Sequence, residues 1–162
     1  MLQRSTVLAV LLALAGSAHA STYALTSPGL FWDQANAEAT SLGGHLVAIN
    51  DAAEEQLLLD LFGGTEPLWI GLTDRDVEGV FAWTNGDPLT YTSWAPGEPN
   101  NDGDEDYVNT NDFRGPGLWN DGHSNTRQFR GIIEYELVPE PASATLLGVG
   151  ALAGLSRRKR RA

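Results

Sequence analysis

Gly97-Glu98-Pro99-Asn100-Asn101-Asp102-Gly103-Asp104-Glu105-Asp106, followed further on by Trp119-Asn120-Asp121, is the stretch on which the reading of this chain turns. It is a collection of carboxylate and carboxamide oxygens on turn-forming backbone. Ca²⁺ takes six to eight such oxygens, whereas zinc and copper favour Cys and His. The chain has no Cys and three His, so the donor set points to calcium. Glu98 and Asn100 flank Pro99. A cis peptide there, a geometry essentially confined to X-Pro bonds, would turn both side chains the same way. Glu105 adds a carboxylate, and Asn120-Asp121 adds an amide and an acid where a strand can end. Singly, each piece is what ordinary turns contain; the combination carries the reading.

The region around this stretch, Ser93 to Asn125, is dense in Gly, Pro, Asn and Asp and is interrupted by Tyr107-Val108. Long irregular segments in a compact domain are uncommon and usually functional. Upstream, Trp69-Ile70-Gly71-Leu72 and Phe81-Ala82-Trp83 read as strands, and Asn85-Gly86 as a hairpin turn. Leu30, Phe31, Ala35, Ala39 and Leu42 recur at helical spacing, with Gly43-Gly44 as the stop. His45 to Ile49 reads as a short strand. A second helix is expected after Asn50 or Asp51, with Asp51 and Glu54 at capping-box spacing. Leu57, Leu58, Leu61 and Phe62 form its buried face. Arg130 to Leu137 is the last strand. Two helices followed by strands, with no internal repeat, give one α+β domain with small antiparallel sheets.

The ends read differently. Arg4, the apolar run Val7 to Ala15 and Ala18-His19-Ala20 have the layout of a secretory signal peptide over residues 1–20; the alternative is a retained anchor. Val138-Pro139-Glu140-Pro141, the apolar stretch Ala142 to Leu155 and the basic cluster Arg157 to Arg161 close the chain. Both apolar runs are short of the roughly 20 residues of a stable span. Of the 21 acidic residues only Glu140 lies outside Ser21–Leu137, whereas six of the ten basic residues do. The domain thus keeps twenty acids against four arginines, a net charge of −16 with His neutral. That balance excludes nucleic-acid binding by counterion release, and leaves solubility and cation binding as uses for the charge. Without Cys there is no disulfide, no thiolate nucleophile and no zinc–thiolate site.

Taken together, Trp32 with Ala35, Gly43-Gly44-His45-Leu46, Trp69-Ile70-Gly71-Leu72, Tyr91 and Trp94, Gly97-Glu98-Pro99-Asn100, Trp119-Asn120-Asp121 and Ile133-Glu134-Tyr135 resemble the C-type lectin family in order and approximate spacing. The resemblance spans nearly all of Phe31 to Glu136. It implies the C-type-lectin-like fold, with a long calcium-binding loop region, and no enzymatic activity. It also implies that Glu98, Asn100, Glu105, Asn120 and Asp121 hold a calcium ion and, through it, a sugar. The Glu-Pro-Asn order goes in the family with mannose-type sugars. A second ion would fall to Asp74, Glu78, Asn101 and Asp106; Asn101 is often an acid in the family, and the alternative is that Asp74 and Glu78 are solvated loop acids. The family's two disulfides are missing. Ala39 and Ile133 stand at one pair of positions, and Tyr107 and a small residue near Ser124 at the other. The C-terminal segment, 138–162, resembles the PEP-CTERM sorting signal of Gram-negative bacteria. It implies an exported protein, cut by an exosortase after transient membrane contact through the apolar segment; a simple tail anchor is the alternative.

His45, after the Gly-Gly turn, reads as structural. His123 is either a plain loop residue or a neighbour of a bound sugar. Glu98 and Glu105 could form a glycosidase pair, but carboxylates that bind calcium are not free as proton donors. The leading expectation is a calcium-dependent, mannose-type carbohydrate-binding protein at the cell surface or in the extracellular matrix, whose partners are a glycan or exopolysaccharide and the sorting machinery. The alternative is a calcium-stabilised adhesion or structural domain that binds protein.

Overall fold

Leu68 to Thr73 alternate between two faces, as a strand must, and both faces are apolar. Leu68, Ile70 and Leu72 join Val47, Ile49, Leu58, Val108, Trp119 and Ile132 in one core. Trp69 joins Trp32, Ala35, Ala39, Leu46, Tyr107 and Ile133 in a second. The strand is therefore buried from both sides, and helices or loops must cover each.

The computed structural model describes residues 21–123 and 126–136. The expected signal peptide (1–20), the sorting segment (138–162) and the position near Ser124 lie outside the described residues. Within them the order is β1 (Ser21–Leu25), α1 (Trp32–Ser41), β2 (His45–Leu46), α2 (Ala52–Phe62), β3 (Leu68–Thr73), β4 (Ala82–Trp83), β5 (Tyr107–Thr110), β6 (Asn120–Gly122) and β7 (Arg130–Glu136). The sheet runs β1-β7-β3-β5-β6, with β2 added on β7 and β4 on β3. The expected antiparallel pairings are joined by one parallel contact, Leu68↔Arg130 and Trp69↔Gly131 between β3 and β7. Helix α1 lies over the second core through Trp32, Ala35 and Ala39. Helix α2 contributes Leu58 to the first.

Several local expectations need correction. Strand β1 was not foreseen: Ser-Thr-Tyr-Ala-Leu has little pattern of its own and is fixed by pairing with β7 from Ser21↔Glu136 to Leu25↔Ile132. The strand expected over His45 to Ile49 stops at Leu46, although Val47 N still donates to Ile132 O at 2.9 Å. Asn85-Gly86 makes a turn, with Gly86 N donating to Trp83 O at 3.1 Å, but no strand follows it; the hairpin lies between β3 and β4, before it. Asp51 caps α2 as expected, accepting from Ala53 N and Glu54 N at 2.9 Å. The reciprocal arm is displaced, because Glu54 accepts from Asn50 N (2.8 Å) and from the Tyr23 hydroxyl (2.7 Å). On α2 only Leu58 and Glu55 are buried; Leu57, Leu61 and Phe62 are half-buried against the core.

Packing stands at the positions where the resemblance implies disulfides. Ala39 and Ile133 are both fully buried in the same core. The Tyr107 ring lies 4.7 Å from that of Trp32. Gly71 is required by close approach: a Cβ there would lie 2.5 Å from the Leu46 carbonyl oxygen, which is backbone and cannot step aside. Gly71→Ala is expected to cost about 1–3 kcal/mol, read as a lower urea midpoint at unchanged slope. An unaltered midpoint would show that β2 and β3 are less tightly apposed than described.

Candidate calcium and ligand site

The site is built from the sheet outward. Trp119, immediately before β6, is fully buried and tied to the long loop by backbone: Ala95 N donates to Trp119 O (2.8 Å) and Trp119 N to Ser93 O (2.7 Å). Its indole packs edge-on against Trp83, Tyr91 and Trp94 at 5.7–5.8 Å. Its Nε1 donates to Glu55 Oε2 at 2.8 Å. Glu55 also accepts from the Thr110 hydroxyl (3.2 Å), so one carboxyl of α2 braces both β5 and the residue leading into β6.

Asn120 and Asp121 follow on β6, both buried. Asp121 accepts from the backbone N–H of Asn100 (3.1 Å) and of Asn101 (2.9 Å), which draws the Glu-Pro-Asn loop onto the strand. The Glu98–Pro99 bond is cis, and Asn100 Nδ2 donates to Glu98 Oε2 at 2.5 Å. Asp102 N donates to Asn100 Oδ1 (2.8 Å) and to Glu105 Oε2 (3.1 Å). These bonds connect Glu98, Asn100, Glu105 and Asp121 into one cluster. Asn120 joins through Arg114, whose Nη1 lies 3.5 Å from Asn120 Oδ1 and 2.6 Å from Glu98 Oε1. Arg127 sits 3.8 Å from Glu105.

The second predicted group is also gathered. Asn101 Nδ2 donates to Glu78 Oε1 at 2.7 Å, and Asn101 Oδ1 accepts from Glu105 N at 2.7 Å. Glu78 and Asp106 have carboxylate oxygens within 4.8 Å of each other and of Asp104, which sequence reasoning left out. Asp74 is buried; its Oδ2 accepts from Gly79 N (2.9 Å). Asp74 N donates to Asp106 O at 3.3 Å.

The residues fit a divalent cation on two observations. Asp74 Oδ1 is a buried acceptor without a hydrogen bond, and the buried Glu98 Oε1 is met by the Arg114 guanidinium at 2.6 Å, whereas buried polar atoms ordinarily have partners. The carboxyls also strain against one another. Desolvation, then Asp121, hold Glu98 above the usual carboxylate range, against the pull of Arg114. Desolvation also raises Glu105 and Asp106; Asp121 adds to the first, and Asp104 and Asp74 to the second. Glu78 is raised by desolvation and the carboxylates of Asp74, Asp106 and Asp104. A cation relieves such crowding. His123 does not join the ligand oxygens directly; its Nε2 lies 3.1 Å from the Asp102 carbonyl, under the loop. His45 packs at β2 against Glu134, 4.0 Å away, in keeping with a structural role.

A loop cluster of oxygen donors carried on a small mixed sheet, with two covering helices, defines a ligand-binding domain. The family model for the Lectin C-type domain matches residues 29–129, and the chain belongs to that family. Its members are binding domains without enzymatic activity. The model for the PEP-CTERM protein-sorting motif matches residues 137–161, which marks the chain for export and exosortase processing. The low affinity immunoglobulin epsilon Fc receptor of Mus musculus is 43% identical over 91 residues, 56% of this chain and 26% of the receptor. The alpha-N-acetylgalactosamine-specific lectin of Patiria pectinifera is 38% identical over 109 residues, 61% of this chain and 65% of that lectin. The chain thus spans about a quarter of the first relative and just under two thirds of the second. Among solved structures, the cow C-type carbohydrate-recognition domain of CD23, in the presence of GlcNAc2Man3 oligosaccharide, superposes with a TM-score of 0.67 at 29% identity. That match covers 78% of this chain and 99% of the other.

Glu55 gives this site a pH dependence from behind. Burial pushes its carboxyl up to about 7, against the hydrogen bonds from Trp119 and Thr110. A carboxyl raised on folding favours the folded state fully below its unfolded value and loses that contribution as pH rises through 7. Glu54 and Glu134 are raised in the same direction, chiefly by burial. The domain should therefore melt higher at pH 5.5 than at pH 8. Glu55→Gln imitates the neutral acid: its oxygen accepts from Trp119 and its NH₂ can donate to the Thr110 oxygen. The variant should be more stable than the parent at pH 8, by on the order of 2–3 kcal/mol, and show a flatter melting profile against pH. A profile as steep as the parent's would remove Glu55 as the source.

Proposed function

We propose that the domain is a calcium-dependent carbohydrate-binding module that acts at the cell surface or in the surrounding matrix. In this reading Glu98, Asn100, Glu105, Asn120 and Asp121 hold Ca²⁺ and read a mannose-type glycan or exopolysaccharide. The observation that supports it best is the convergence of these five side chains from two separate segments, with Asp121 beneath the backbone of Asn100 and Asn100 against Glu98. Ca²⁺ held there supplies coordination positions for two neighbouring sugar hydroxyls. Glu98 and Glu105 can only accept hydrogen bonds, whereas the amides of Asn100 and Asn120 can donate. That fixed order of acceptor and donor selects which way round a hydroxyl pair sits, and in the family Glu-Pro-Asn accompanies mannose-type pairs. The related domains are named for more than one sugar, an oligosaccharide containing mannose in one and N-acetylgalactosamine in another, so the choice rests on this loop and not on the fold.

Asp74, Glu78, Asn101 and Asp106 would hold a second ion, with Asp104 within reach. Its role would be to fix the loop that carries Glu98. Residues 1–20 would direct export, complementing the C-terminal sorting motif. One module of this kind holds a monosaccharide weakly, so adhesion would come from many copies side by side.

The purified protein should melt higher in calcium than in chelator. Linkage gives about 2.7 kcal/mol at a hundredfold excess over Kd, and Asn120→Ala with Asp121→Ala should remove this ion's share of the difference, leaving at most what the second ion contributes, while helix content persists. Equal melting curves in calcium and chelator would refute the metal site. On immobilised glycan, mannose should compete better than galactose. Glu98→Gln together with Asn100→Asp conserves charge, so calcium binding should persist while the preference moves toward galactose. Calcium binding without binding to any glycan would favour the adhesion reading.

A further inference from the structure

We propose that Arg114 is a built-in competitor of the bound cation: its guanidinium occupies the oxygens of Glu98 and Asn120, and metal binding at these ligands is an exchange that displaces it. The inference rests on the calcium reading above and concerns what sets the affinity of that site.

Three observations carry it. First, a single nitrogen, Arg114 Nη1, lies 2.6 Å from Glu98 Oε1 and 3.5 Å from Asn120 Oδ1, so it reaches two of the five proposed ligands at once. Second, Glu98 Oε1 is buried, and the contact it has is the Arg114 guanidinium at 2.6 Å. A cation bound at that oxygen must therefore take the place of Arg114. Third, Arg114 is tethered and has somewhere to go. Asp112, whose side chain is 2% exposed, accepts from the Arg114 backbone N–H at 2.9 Å and lies 3.2 Å from Nη1. The guanidinium also stands 4.6 Å over the ring of Phe113, which is 86% exposed. Displaced from Glu98, the side chain keeps Asp112 and the aromatic face, a favourable seat for a cation.

The consequence concerns valence. At Glu98 and Asn120 a monovalent ion that replaces the guanidinium leaves the charge unchanged, whereas Ca²⁺ adds one positive charge beside Glu98, Glu105 and Asp121. Arg114 therefore lowers affinity for all cations at these ligands but leaves divalent ions the advantage. Removing it should tighten calcium binding.

The test compares the purified protein with Arg114→Gln and with Arg130→Gln, which removes the same charge from a separate ion pair with Glu66. Calcium affinity is measured by calorimetry at 0.15 M and 0.5 M salt, and melting in chelator and in calcium. Arg114→Gln is expected to bind calcium about tenfold more tightly, as for one unit charge removed near the ion in a partly screened site. It should melt lower than the parent in chelator, where Glu98 has lost its counter-charge, and close to it in calcium. Arg130→Gln should leave affinity unchanged. Calcium binding by Arg114→Gln when the parent shows none would support the exchange in its strongest form. If the parent binds and Arg114→Gln binds equally or less tightly, or if Arg130→Gln tightens binding as much, the exchange is overturned and the calcium reading stands. If none of the proteins binds calcium at 10 mM, on the order of the weakest extracellular sites, both fall. Should Arg114→Gln not fold, Arg114→Lys takes its place. The Lys side chain ends one bond short of Nη1, so its ammonium reaches the oxygens of Glu98, Asn120 and Asp112 less closely; a two- to threefold tightening is expected, and no change would overturn the proposal.

Discussion

The indole of Trp119 is where the order of the loops begins. Between β4 and β5 the chain runs through more than twenty residues without regular structure, and fixing such a segment costs roughly 1–2 kcal/mol of backbone entropy per residue. The sequence offers few local means of recovering that. What recovers it is one large buried ring that three aromatic neighbours from the β4 strand and the loop pack against, with two backbone hydrogen bonds that make Ser93–Ala95 a short partner of Trp119. Because Asn120 and Asp121 are the next two residues, whatever fixes Trp119 fixes them. Asp121 then passes the order on by accepting from the backbone of Asn100 and Asn101. The loop is held from the sheet, not by its own composition.

How much of this was legible in the sequence depended on how far apart the interacting parts lie. Helices α1 and α2 and strand β3 announce themselves locally, through spacing, glycine stops and the Asp51 cap, and the structure has all three, although α1 starts at Trp32 and leaves Leu30, Phe31 and the exposed Leu42 of the expected face outside it. Strand β1 and the parallel contact of β3 with β7 depend on a partner more than sixty residues away, and nothing in Ser21–Leu25 states that partnership. The five candidate ligands were found because acid and amide oxygens cluster in two short motifs whose joint meaning came from family resemblance. Asp104 was passed over in the same run, since spacing alone does not say which of several acids comes beside Glu78 and Asp106. Arg114 and Asp112 were missed for a topological reason: only the β5–β6 connection brings them against Glu98. Glu55 carried a usable signal. It lies three residues before Leu58 on the face turned toward the core, and a carboxyl in that position demands a partner, which proved to be the indole of Trp119.

The missing disulfides shift the burden of stability in an uneven way. At Ala39 and Ile133, where the resemblance implies one pair, apolar contact holds the two segments: a buried Ile is worth about 1.5–3 kcal/mol, comparable to the lower part of the 2–5 kcal/mol that a native disulfide supplies. The scaffold thus keeps its cohesion through packing. The loop end has no such replacement among the described residues. Tyr107 turns its ring toward Trp32 and the scaffold, and beyond the Trp119 cluster the loop is held by a lattice of carboxylates, amides and backbone N–H groups with two arginines among them.

Such a lattice is electrostatically one-sided. The domain carries a net −16, and in the loop cluster Glu98, Glu105, Asp106 and Glu78 are all raised above the usual carboxylate range, first by desolvation and then by the neighbouring charges of Asp121, Asp104 and Asp74. Like-charge crowding of this kind opposes compaction, and it is concentrated where packing is thinnest, so the loop end and not the helix-covered sheet is the part whose stability is conditional. Arg114 and Arg127 offset a portion of it from within the chain. They do so with single positive charges on long side chains whose immobilisation itself costs up to about 2 kcal/mol of entropy each. A divalent ion concentrates twice the charge in a point that needs no side chain to be ordered. In the proposed reading, the same arrangement of oxygens that makes the loops costly to hold by protein alone would make them responsive to a cation, and would tie the order of the candidate ligands to whether one is bound.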